Sequence, residues 1–125
     1  MDKALKLLIL VPAILFVVTG VRWLVAPAGI APDFGLALQE GMGLSTQIGD
    51  LTSFFLTLGS CMLIALISDR RIWLYPPMML LTIAATGRIF AWLLHGASLA
   101  VGPIIVELVV ASILLLASRR LPLKD

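Results

Sequence analysis

The chain has 125 residues, of which 61% are hydrophobic and 13% charged, and its mean hydropathy is +1.12. A soluble domain is nearer half apolar and a quarter charged, so these values exclude an ordinary soluble enzyme, a disordered chain and a secreted disulfide scaffold. The single cysteine, Cys61, excludes an intramolecular disulfide and a cysteine metal cluster.

A membrane helix needs about 20 mainly apolar residues to cross a hydrocarbon core of about 30 Å. Four runs qualify: 4–25, 46–67, 72–94 and 101–117. They are too long for strands and lack period-two alternation. The expected fold is therefore all-α: a polytopic membrane four-helix bundle forming a single domain over residues 1–125. Span one resembles a signal peptide at Lys3, Lys6 and the small residues Ala26-Pro27-Ala28. Its apolar run is too long for a signal peptide, however, and Arg22 interrupts its end, so a retained span is expected. Pro12 should kink it.

The outer loop 26–45 is partly apolar. Pro32-Asp33 can begin a helix there, with Asp33 as N-cap and an end near Gly41 or Gly43. A short amphipathic interfacial helix is expected. Pro76 and Pro77 fall in the first turns of span three, where proline is tolerated. Trp23, Trp73, Tyr75 and Trp92 lie near span ends, where aromatic belts form.

Basic residues orient the chain. Lys3 and Lys6 precede span one, Arg70 and Arg71 join spans two and three, and Arg119, Arg120 and Lys124 follow span four. In a four-span chain these three segments share a face, which the positive-inside rule makes cytoplasmic for both termini. A pI near 9.1 then reflects topology and contact with the lipid bilayer rather than nucleic acid, since no basic patch is interleaved with aromatics.

Three ionisable residues fall inside spans: Asp50, Arg88 and Glu107. Each costs about 2.5–3.5 kcal/mol at a span centre, so such groups usually face the bundle interior and pair. Counted from the outer ends at 1.5 Å per residue, their depths agree within about 5 Å. Helical phase also suggests convergence. Gln47, Asp50, Ser53, Thr57 and Cys61 make one stripe; Ala84, Ala85, Arg88 and Trp92 another, with His95 a turn beyond; and Pro103, Glu107, Ala111 and Leu114 a third. One arginine between two carboxylates leaves a negative charge. Either one acid is protonated, or Arg22 completes a neutral set of four. The candidate binding residues are thus Asp50, Arg88, Glu107, Arg22, Gln47, Trp92 and His95. A zinc site lacks ligands, and no nucleophile elbow surrounds Ser98 beside His95. No catalytic residue, metal or cofactor is implied.

Several short stretches are similar to a known family: Gly43-Leu44 ahead of Asp50, Gly87-Arg88, His95-Gly96, Pro103 with Glu107-Leu108-Val109, and the closing Arg119-Arg120. Over nearly its whole length the chain resembles the small bacterial four-helix membrane proteins of domain-of-unknown-function family 4345. The resemblance implies an inner-membrane bundle and no particular activity. Two departures stand out. Leu51-Thr52-Ser53 follows Asp50 where members carry an aromatic and paired glycines, and His95 stands where an acid is common.

Three functions fit this reading. The first is an accessory or structural component, partnered by other membrane subunits or a second copy. The second is a binding protein or enzyme for a hydrophobic, lipid-like ligand, with the charges at its polar end and Trp92 as an apolar wall. The third is a small oligomeric transporter.

Overall fold

The computed structural model describes residues 2–125. It contains four long helices: α1 (Asp2–Val25), α3 (Gly41–Ser68), α4 (Tyr75–His95) and α5 (Val101–Arg120), with a short turn of helix, α2 (Pro27–Ile30), after the first. Counting the 3₁₀ turn Arg71–Leu74 with α4, all four are long and apolar enough to cross a membrane. The chain is thus an all-α, multi-pass membrane protein. Span two begins at Gly41, five residues ahead of the expected start at residue 46. At 28 residues, α3 is about 42 Å long and exceeds the hydrocarbon thickness. α1 continues as α-helix across Pro12.

The four helices form a ring in which α1 packs most closely on α3 and α4 on α5. Glycine permits the first of these approaches. A Cβ at Gly59 would lie 2.5 Å from Val17 Cγ2 and 2.6 Å from the Ala13 carbonyl oxygen, and one at Gly20 would lie 2.8 Å from the Leu56 side chain. With no hydrophobic drive between helices in lipid, such close backbone contact is what holds a pair together.

The three basic segments do share one end. Lys3 and Lys6 flank a groove with Leu66 and Ile67, and Asp2 lies beside Arg120. The tail after α5 is tied to the α3–α4 connection. Arg71 N donates to the Lys124 carbonyl at 2.7 Å and Lys124 N to the Asp69 carbonyl at 2.7 Å. Arg71 Nε donates to the Ser118 carbonyl at 2.6 Å, and the Arg71 guanidinium pairs with Asp125. Above this end the core is solid: Ile9, Leu58, Met62, Leu74 and Leu114 are fully buried.

The outer loop departs from expectation. The helix does not run from Asp33 to Gly41. Instead α2 starts at Pro27 and a 3₁₀ turn follows over Ala31–Phe34, so Asp33 lies inside a turn and is not an N-cap. Pro27 and Pro32 each open a turn with φ already set. Gly35, at φ 67, ends the helical stretch. This segment folds back over the end of α1, which corrects the reading of Trp23 as a belt residue. Trp23 is fully buried against Ile30, Ala31 and Phe34. Trp73, Tyr75 and Trp92 remain exposed.

Candidate functional site

Between the solid core and the Trp23 cap lies a cavity of about 440 Å³. Every long helix contributes to it. Leu15, Phe16 and Thr19 come from α1, Phe54, Phe55 and Leu58 from α3, Leu81 and Arg88 from α4, and Pro103, Val106 and Glu107 from α5. The outer loop adds Asp33 and Phe34. The lining is graded along the bundle. Arg88 lies seven residues, about 10 Å, outward of Leu81 on the same helix face. The apolar floor is therefore near mid-bundle and the polar groups near the outer end.

Arg88 and Glu107 meet as expected from depth and phase. Arg88 Nε donates to both carboxylate oxygens of Glu107, at 3.0 and 3.2 Å. Glu107 is buried, whereas the Arg88 side chain keeps 37% of its surface. Neither terminal nitrogen of Arg88 has a partner among the described residues. The pair is neutral by itself, so the charge imbalance foreseen for an acid–Arg–acid cluster does not arise.

Asp50 is the principal correction. It is exposed in a separate groove with Ser53, Thr57 and Leu80, away from Arg88. The cause is phase: at 100° per residue the Asp50–Ser53–Thr57 stripe is rotated by about 100° from the Phe54–Phe55–Leu58 face that lines the cavity. Equal depth brought the charges to one layer but not to one side of α3.

The other candidates also lie elsewhere. Arg22 is intercepted by the fold-back, its Nη2 donating to the Gly29 carbonyl at 3.3 Å. Gln47 clamps the loop: its Oε1 accepts from Gln39 N at 2.8 Å and its Nε2 donates to the Ala37 carbonyl at 3.0 Å. Trp92 is exposed and does not wall the cavity. His95 is exposed in the last turn of α4, before the left-handed Gly96 that ends the helix.

Asp33, Thr19 and the aromatic trio Phe34, Phe54 and Phe55 were not among the expected site residues. Phe34–Phe55 and Phe54–Phe55 meet edge to face at 5.4 and 5.1 Å, a favoured aromatic geometry. The Ile30/Phe34 spacing was the available signal, since it gives the loop one apolar face and turns Asp33 beside it. Among the described residues no three of His, Cys, Asp and Glu gather where a metal ion could sit.

The arrangement can hold an elongated apolar body and offer hydrogen-bond donors at one end of it. Its volume falls in the lower part of the range for small-molecule sites, about 300–1,000 Å³. No family model matches this chain, and neither the curated proteins nor the solved structures contain a match.

Proposed function

We propose that this protein binds an amphipathic molecule within the membrane, with the apolar part in the cavity and the polar end at Arg88. One observation carries the reading: Arg88 spends only Nε on Glu107 and leaves its terminal nitrogens unpartnered at the polar end of a largely apolar cavity. The Arg88 side chain keeps 37% of its surface, so these nitrogens are accessible, and an oxyanion that meets them forms charge-assisted hydrogen bonds. A charge pair serving only as a helix lock has no need of the adjoining space. The fully buried Met62 and Leu114, below the cavity floor, argue against a transport path through one chain.

The test uses a doxyl-labelled stearate methyl ester added to the purified chain in maltoside micelles. Nuclear magnetic resonance signals of Phe54, Phe55 and Leu58 should broaden at lower probe concentration than those of the lipid-facing Ile83 and Phe90. Equal broadening at both sets would reject the reading.

We place the protein in a bacterial inner membrane with its basic end in the cytoplasm. The gathering of three basic segments at one end supports this orientation, and the family resemblance supports the location.

A second reading, that of an accessory subunit, is favoured by Asp50. An exposed acid on a spanning helix, with Ser53 and Thr57 on the same stripe, suits a neighbouring helix bearing Lys or Arg. Cross-linking from Ser53→Cys in native membranes should capture that neighbour and lose it on Asp50→Asn. A chain that stays uncross-linked contradicts this reading.

A further inference from the structure

Resting on the amphiphile-binding reading, we infer that the cavity selects a one-tailed molecule whose head is zwitterionic, with an anionic oxygen group on Arg88 and a primary ammonium on Asp33. The groups lining the cavity set this choice. Arg88 and Glu107 cancel, and Asp33, an exposed residue that lines the same cavity, has no ion pair among the described residues, so the lining carries one uncompensated negative charge. The terminal nitrogens of Arg88 are free to donate, and oxyanions fit a guanidinium edge best. Thr19 supplies no spare donor, because its hydroxyl already donates to the Leu15 carbonyl at 2.8 Å.

Each simpler head fails one of these demands. A purely anionic head satisfies Arg88 but adds a second negative charge beside Asp33. A purely cationic head satisfies Asp33 and leaves the Arg88 donors unmet. A neutral hydroxyl supplies one weak acceptor and no cation. A head with both charges meets both groups and leaves only the apolar floor of Leu15, Leu58 and Leu81 for a tail. The cavity's place in the lower range of small-molecule sites fits one tail rather than two. The polarity gradient sets the pose: head outward, tail toward mid-bundle.

The experiment is displacement of the doxyl stearate ester from the full chain in maltoside micelles by three probes. These are lysophosphatidylethanolamine, lysophosphatidic acid and dodecylamine. The zwitterion should displace at about tenfold lower concentration than either of the others, about 1.4 kcal/mol in binding. Asp33→Asn should erase its advantage over lysophosphatidic acid. Arg88→Lys, which keeps the charge but not the planar fork, should weaken it about tenfold. Unchanged melting temperatures establish that both variants are folded, and Asp33→Ala serves as a second variant of the exposed loop residue. If lysophosphatidic acid displaces equally well, or Asp33→Asn leaves the preference intact, the head assignment is overturned while ligand binding stands. If no probe displaces an ester that does broaden Phe54 and Phe55, the head assignment is again overturned; if the ester never broadens them, the amphiphile reading itself is overturned.

Discussion

Arg88 and Glu107 join α4 to α5 through one nitrogen: Nε of Arg88 reaches both carboxylate oxygens, and the outer edge of the guanidinium stays free. The contact couples the two helices, while the free edge gives the site its donors. Coupling between the two residues should therefore be real but modest. A double-mutant cycle with Arg88→Met and Glu107→Gln, measured by unfolding in mixed micelles, should give about 0.6–2 kcal/mol. A larger coupling would mark the pair as chiefly structural.

The α1–α3 pair depends on Gly59. Its missing Cβ is opposed by the Ala13 carbonyl oxygen and by Val17, the first of which is backbone and cannot swing aside. Gly59→Ala should cost about 1–3 kcal/mol by overpacking. Gly49→Ala, which meets nothing within 4 Å, should leave the melting temperature nearly unchanged. Equal effects would show that the two helices do not rely on this approach.

Gln47 holds the extended segment 36–40 through two hydrogen bonds. Gln47→Ala should lose about 1–2 kcal/mol of local stability. Hydrogen exchange should accelerate at Gln39, with little change in α4 and α5, because loops open independently of a packed core. Global acceleration would contradict this division.

The orientation predicts opposite labelling of the two ends. In intact cells, with Cys61 replaced by Ala, a membrane-impermeant maleimide should modify Leu36→Cys. It should spare Lys124→Cys until the membrane is permeabilised. The reverse pattern would invert the topology.

The four spans, their antiparallel order and the shared basic end were legible because hydropathy and charge act over whole segments. The Arg88–Glu107 contact was legible from depth and phase together. Asp50 was misassigned because depth is read from residue count, while the face an amphipathic stripe presents depends on which stripe its neighbours prefer. On α3 the aromatic face of Phe54 and Phe55 faces inward, and the polar one is left at the surface. Asp33, expected as an N-cap, was not legible as a site residue for a different reason. Its place on the cavity wall depends on the fold-back of Pro27–Phe34 onto Trp23, a tertiary event without periodicity. Gln47 and Arg22 were diverted by the same loop, whose backbone carbonyls took their donors.

The most direct test is a crystal structure grown from a lipidic phase, read at Arg88. The account predicts elongated density between Phe54, Leu58, Leu81 and Val106, with its polar end within hydrogen-bond distance of the terminal nitrogens of Arg88. A cavity collapsed by Phe54 and Phe55, with those nitrogens turned onto Glu107, would contradict it.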